Sequence, residues 1–168
     1  MPVENINDLY DFETAIESGF KNLFASNDLK AFTSNDGDDD KRPRPRVELF
    51  FTVGAETGHR LGALPYFRAD AFAGQLLVIV VSNTRPVEVG TQEHSEFRSA
   101  VRNLMAKATY LLKVNREAAN DMMPNHAVHS VVHSGSTPSY ESDQGYYETT
   151  IQYDLKFSIQ PEAWPEET

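Results

Sequence analysis

Apolar residues recur at helical spacing in two stretches of the chain. In the first, from about Asn7 to Phe24, one stripe consists of Leu9, Phe12, Ala15, Ile16, Phe20, Leu23 and Phe24. In the second, from about Gln92 to Val114, the stripe consists of Phe97, Val101, Leu104, Met105, Ala108, Leu111 and Leu112. The pattern therefore predicts two amphipathic helices, each with one face against a core.

Four other stretches have the pattern of β-strands, at about Val47–Gly54, Ala71–Ser82, Ala127–His133 and Tyr146–Ile159. The continuously apolar run from Leu76 to Val81 is typical of a central strand covered on both faces. The last strand alternates apolar and polar residues throughout, so one of its faces is expected to be buried.

The order α-β-β-α-β-β predicts an α+β fold of one domain, with two helices packed on a mainly antiparallel four-stranded sheet. Long loops are expected at about 27–46 and 55–68, where glycine, proline and aspartate interrupt the pattern. A tail with two prolines, residues 160–168, is expected to extend beyond the last strand.

Composition narrows the classes of function. The chain of 168 residues has no cysteine and a formal net charge of −10. Cysteine chemistry is excluded, and such a charge argues against sequence-independent binding of nucleic acid. The first residues lack the pattern of a secretory signal, and no apolar run is long enough to span a bilayer. We therefore expect a soluble intracellular protein without a membrane partner.

No motif for catalysis or cofactor binding is found. His126, His129 and His133 would share one face of a helix, but the residues between them favour a strand, in which only His129 and His133 share a face. The run Asp36–Asp40 is followed by Lys41, where an EF-hand needs glycine. A P-loop and a serine-nucleophile elbow are also absent. The sequence thus predicts no enzyme, no cofactor and no metal site.

Several basic and aromatic residues are candidates for contact with a partner. The stretch from Lys41 to Arg46 either docks on an acidic protein surface or remains a solvated loop. The row His94, Arg98 and Arg102 on the second helix either pairs with carboxylates of a neighbouring subunit or is a solvated helix face. Trp164, between two prolines, is a candidate anchor in a neighbour's pocket. The full set of candidate interface residues is Arg42, Arg44, Arg46, His59, Arg60, His94, Arg98, Arg102 and Trp164.

Taken together, these features resemble the tail-terminator (tail-completion, neck) proteins of long-tailed phages. The resemblance extends from about Leu9 to Trp164. It rests on the N-terminal helix, the entry Arg44-Pro45-Arg46-Val47 into the first strand, the apolar strand Leu76–Val81, the helix motif His94–Arg102 and the ending from Tyr146 to Trp164. The acidic run departs from the pattern, and its residues Asp36, Asp38, Asp39 and Asp40 are candidates for a loop that faces a channel.

The resemblance implies a homo-oligomeric ring, typically of six subunits, in the virion neck. Such a ring caps the tail tube, ends its growth and joins the head-side connector, while DNA passes through the channel without specific binding. An acidic balance suits such a channel because it repels a polyanion. Two alternatives stay open: another neck or tail protein, such as a head-closure adaptor or tube subunit, and a small α+β module that binds an apolar ligand.

Overall fold

The computed structural model describes residues 10–33, 35–37, 42–60, 70–82, 90–123, 125–137, 140–141 and 147–159. Within these ranges the helices are α1 (Phe12–Ala25), α2 (Gln92–Val114) and α3 (Arg116–Asn120). The strands are β1 (Ala31–Thr33), β2 (Arg46–Arg60), β3 (Asp70–Val81), β4 (His126–Ser136), β5 (Tyr140–Glu141) and β6 (Tyr147–Ile159). None of the described helices is long and apolar enough to cross a membrane.

The strands form one mixed sheet in the order β1-β2-β3-β6-β4, and the two-residue β5 also pairs with β6. β1 runs parallel to β2, whereas the pairings β2–β3, β3–β6, β6–β4 and β5–β6 are antiparallel. The α+β class is confirmed, but the prediction of two helices and four strands is wrong in detail. α3, β1 and β5 are too short to produce a recognisable period in the sequence.

The helices cover one face of the sheet. Alternate residues of β6 face them, among them Tyr153 and Phe157, which have no exposed surface. The hydroxyl groups of Tyr153 and Thr109 of α2 lie 2.6 Å apart, and the ring of Phe12 of α1 lies 5.2 Å from that of Phe157. The buried apolar residues of helices and sheet form a single cluster.

The first helix begins with a side-chain cap. The carboxylate of Asp11 accepts a hydrogen bond from the backbone N–H of Thr14 at 3.3 Å, which satisfies one of the unpaired donors at a helix N-terminus. The predicted beginning of this helix, from Asn7 to Leu9, lies outside the described residues. The bounds of α2 agree with the predicted ones.

Two predicted loops turn out to contain regular structure. Residues 31–33, in the predicted loop 27–46, form β1 on the edge of β2. β2 continues to Arg60, into the predicted loop 55–68, with register shifts after Val53 and after Glu56. Such bulges interrupt the alternation of residues between faces, and this explains why the pattern alone predicts an irregular segment. The remainder of that loop, residues 61–68, and the tail 160–168 lie outside the described residues.

Candidate interaction surface

The face of the sheet that the helices leave uncovered carries several apolar side chains. Phe50, Leu77 and Ile79 point to it and are half-buried. Phe50 lies opposite Leu77 across β2 and β3, so the two side chains are neighbours. Towards one end of this face lies a shallow cavity of about 440 Å³. Its lining includes Thr52, Val53, Gly54, Gly74, Val132 and Asp154.

The second half of β2 remains paired with β3 but is exposed as far as its side chains are described. Every residue from 52 to 56 is exposed, and Val53 keeps 37% of its surface accessible. Successive residues of a strand point to opposite faces. Consecutive exposed residues therefore mean that, among the described residues, neither face of this part of β2 is covered.

The outer edge of β2 is satisfied by two different groups. β1 pairs with Val47, Glu48 and Leu49 only, and the N–H of Val47 donates to the carbonyl of Lys30 at 2.9 Å. Further along, the N–H of Phe51 donates to a carboxylate oxygen of Glu17 in α1, also at 2.9 Å. Alternation places the N–H of Val53 on this same edge, where the described part of the chain provides no strand for it.

Burial shifts the pKa of the Glu17 carboxyl. Its side chain lies within the apolar face of α1, and only 4% of the residue is exposed. Burial raises the pKa of the carboxyl above its ordinary value, the hydrogen bond from Phe51 opposes part of that rise, and the charges of Glu13, Asp36 and Asp11 add to it. The group thus protects the edge of β2 at the cost of burying a carboxylate.

Replacing Glu17 by glutamine is expected to increase the free energy of unfolding at pH 7. Above the ordinary pKa of 4.5 the carboxyl ionises more readily in the unfolded chain than in the folded chain, so the wild type loses stability as the pH rises. The glutamine stays neutral, and its carbonyl can still accept from Phe51. Urea unfolding between pH 4 and pH 7 should show the difference between variant and wild type shrinking towards the acid end.

Glu117→Gln is the control, since Glu117 lies exposed on α3 and its charge is not among those that act on Glu17. It should change the free energy of unfolding much less. A Glu17→Gln variant that is less stable than the wild type at pH 7 would contradict this account of the buried carboxylate.

β4 is the opposite edge of the sheet, and a side chain of α3 caps it at Val128. The side-chain amide of Asn120 in α3 accepts from the N–H of Val128 at 2.8 Å and donates to the carbonyl of Val128 at 3.1 Å. Beyond this cap, residues 132–134 and 136–137 are exposed and Gly135 is half-buried. Val132 keeps 54% of its surface accessible. The last part of β4 therefore ends in an open edge within the described structure.

A groove lies beside the open end of β4. It has a volume of about 620 Å³ and runs between β4 and the C-terminal half of α2. Two large side chains of α2 on its rim, Tyr110 and Val114, are 56% and 61% exposed. The lining residues are Met105, Ala106, Thr109, Tyr110, Lys113, Val114, His133, Ser136 and Ile151. An open strand edge and an apolar groove thus adjoin one another.

Two of the arginines predicted for partner contact are buried instead. Arg42 and Arg46 are 7% and 3% exposed, and both donate to the same carboxylate oxygen of Glu48, at 3.2 and 2.8 Å. Arg42 also donates to the carbonyls of Thr33 and Gly37. Both guanidinium groups are buried and bonded within the chain, so Arg42 and Arg46 are not placed for contact with a partner.

The remaining candidates are dispersed. Arg44 is half-buried, and Arg98 and Arg102 are exposed on α2. His59, Arg60 and His94 belong to β2 and α2, but their side chains are not among those described; Trp164, Asp38, Asp39 and Asp40 lie outside the described residues altogether. Asp36 pairs with Lys21 and accepts from Thr33, which ties it to the body of the domain.

The three histidines of β4 diverge. His126 is 1% exposed and packs edge-on against Phe12, with ring centroids 5.6 Å apart. His129 contacts the hydroxyl of Ser158 at 2.6 Å, whereas His133 lies 5.7 Å from the ring of Tyr153 on the helix side. The prediction that His129 and His133 share a face is wrong, because a register shift at His129 reverses the alternation. The described residues contain no group of three potential metal ligands.

Sequence reasoning missed three polar residues, Glu17, Glu48 and Asn120. Glu17 had a detectable signal, since it is a charged residue three positions before Phe20 and seven before Phe24, within the apolar stripe. Glu48 and Asn120 are polar residues at positions where polarity is unremarkable. Their roles depend on neighbours that only the fold brings to them.

Comparison with known proteins adds little. No protein-family model and no curated protein matches the chain. Among solved structures, one chain aligns over 95% of this chain and 98% of its own length, with 14% sequence identity and a TM-score of 0.41. A likeness at that level supports no argument about fold or function.

Proposed function

We propose that this chain is a non-enzymatic structural subunit of a long-tailed phage virion. In this proposal copies of the chain form a ring, with six subunits as the expected number, that caps the tail tube and joins it to the head-side connector. The sequence resemblance to tail terminators supplies the specific role. It is the source of the expected copy number and of the two partner faces.

The observation that carries the proposal is the pair of open strand ends on one sheet. The exposed end of β2 and the exposed end of β4 lie on opposite edges, so each copy has two different surfaces for association. Two different, head-to-tail surfaces generate rings or filaments, whereas a single self-complementary surface generates dimers. This arrangement favours a ring-forming subunit over a monomeric binding module.

The charge of the chain is consistent with a DNA channel. A net charge of −10 on 168 residues repels a polyanion, which would let DNA pass through a central opening without being held. Arg42 and Arg46 do not oppose this, since they share a buried carboxylate.

Light scattering on a sizing column, at several protein concentrations, followed by electron microscopy, tests the proposal. We expect a closed ring with a central hole, either in solution or on the ends of purified phage tails. A chain that stays monomeric at all concentrations and also fails to bind tails would refute it. A compact dimer that binds a small apolar ligand in the groove beside α2 would favour the ligand-binding alternative.

A further inference from the structure

The two open strand ends are placed so that the β2 end of one copy can pair with the β4 end of another. Across the sheet, Val53 of β2 is level with Gly74, Leu155 and Val131. The open end of β2 extends from this level in one direction, and the open end of β4 extends from it in the other. The two exposed segments are therefore offset along the strands by a few residues.

The strand directions also agree with such a pairing. β2 is antiparallel to β3, β3 to β6 and β6 to β4, so β2 and β4 run in opposite directions. A neighbouring copy in the same orientation would therefore bring its β4 antiparallel to β2 and extend the sheet. Closed arrangements of strands require a stagger between neighbours together with a tilt of the strands, and the offset supplies that stagger.

Each open end includes a stretch without the charged residues or proline that oppose association, although a bulge interrupts each strand and Glu56 follows the first stretch. Natural edge strands carry charged residues or proline, which oppose the addition of another strand. Residues 52–55 (Thr-Val-Gly-Ala) and residues 132–137 (Val-His-Ser-Gly-Ser-Thr) contain no aspartate, glutamate, lysine, arginine or proline. By contrast, the protected parts of the two edges are occupied by Glu17 and Asn120.

The direction of the Val53 side chain identifies the groove that it would enter in a neighbouring copy. Val53 points to the same face as Leu49 and Phe51, which is the face that the helices cover. On β4, His133 and Ser136 pair with Tyr153 and Ile151 and share that face. Both line the groove beside α2, so a β2 strand added to β4 would direct Val53 into it.

We propose that copies of this chain assemble by pairing the β2 edge around Val53 with the β4 edge from Val132 to Ser136 of the next copy. Val53 then fills the groove against Tyr110 and Val114, which buries three of the exposed large apolar side chains. This inference rests on the proposed ring, since it identifies the contact by which the ring closes.

Disulfide trapping tests the contact directly, because the chain has no cysteine of its own. A Val53→Cys variant is mixed, under mild oxidation, with variants carrying cysteine in place of Val132, His133, Ser134 or Ser136. Cross-strand disulfides need side chains on the same face. We expect mixed dimers with the His133→Cys or Ser136→Cys variant and several-fold less with Val132→Cys and Ser134→Cys.

Val53→Pro provides a second test that does not depend on the exact register. Proline is tolerated on an edge strand where the N–H faces solvent, but it cannot donate to an added strand. We expect association to weaken by at least about tenfold, while Val53→Ala, which keeps the N–H, weakens it less. Circular dichroism of the dilute monomers checks that both variants remain folded.

The outcomes separate the two proposals. If an oligomer forms but yields no mixed disulfide and tolerates Val53→Pro, the contact is overturned and the ring stands. If Val53→Cys alone gives a symmetric dimer in preference to mixed ones, the contact is self-complementary and this inference is overturned. If no oligomer and no cross-link form at any concentration or on tails, the contact and the proposed function are both overturned.

Discussion

Replacing Glu48 by glutamine is expected to lower the free energy of unfolding by about 3–5 kcal/mol. Glu48 is 8% exposed and is the carboxylate that both Arg42 and Arg46 contact. Glutamine keeps the size of the side chain but removes its negative charge. Two buried guanidinium groups would then lie close together without the carboxylate that they share, and removing one partner of a buried ion pair is strongly destabilising.

Urea unfolding at pH 7, followed by circular dichroism, measures this effect. Asp154→Asn is a suitable control, because Asp154 is exposed and its contact with Gln75 is long, at 3.5 Å. The control should change the free energy of unfolding by no more than about 0.5 kcal/mol. A loss below about 1 kcal/mol for Glu48→Gln would show that the two arginines find other partners in the folded chain.

Phe157→Ala is expected to cost a similar amount, about 3–5 kcal/mol, through a different mechanism. The ring of Phe157 has no exposed surface and lies between those of Phe12, Phe51 and Phe72, at centroid distances of 5.2, 5.4 and 5.6 Å. Removing it leaves a cavity where α1 meets the centre of the sheet. The surrounding rings cannot close that cavity unless α1 shifts towards the sheet.

The matched control for this substitution is Lys156→Ala, one position earlier on the same strand, where the side chain is exposed on the opposite face. Chemical unfolding at pH 7 should show a large shift of midpoint for Phe157→Ala and almost none for Lys156→Ala, with the same dependence on urea concentration. Equal effects of the two substitutions would mean that the alternation of β6 between a buried and an open face has been misassigned.

Periodicity predicted the long elements well because their burial is itself periodic. α2 has the predicted bounds, and β6 agrees with its prediction from Tyr147, its first described residue, to Ile159. Each of these elements packs one continuous face against the core, so the sequence carries the signal over many residues. β1 carries no such signal, since three residues on a sheet edge are defined by their pairing with a distant segment.

The candidate interaction surface could be predicted less well from the sequence. The basic stretch before β2 has the composition of a solvated or docking loop, but Arg42 and Arg46 are turned inward by one glutamate on the adjoining strand. Conversely, the segments that end in open edges consist of small or neutral residues without any marked pattern. Whether a strand has an open edge depends on which strands lie beside it in the sheet, and amino-acid composition does not determine this.

The caps at Phe51 and Val128 also act as stops that limit how an added strand can slide. On β2, such a strand cannot shift towards β1 past Phe51, because the carboxylate of Glu17 already occupies that N–H. On β4, it cannot shift past Val128, whose N–H and carbonyl are both held by Asn120. Because the two strands would be antiparallel, both caps oppose sliding in the same direction. The fold thus leaves only a short length of each edge for pairing, which opposes the unlimited stacking of strands that leads to fibrils.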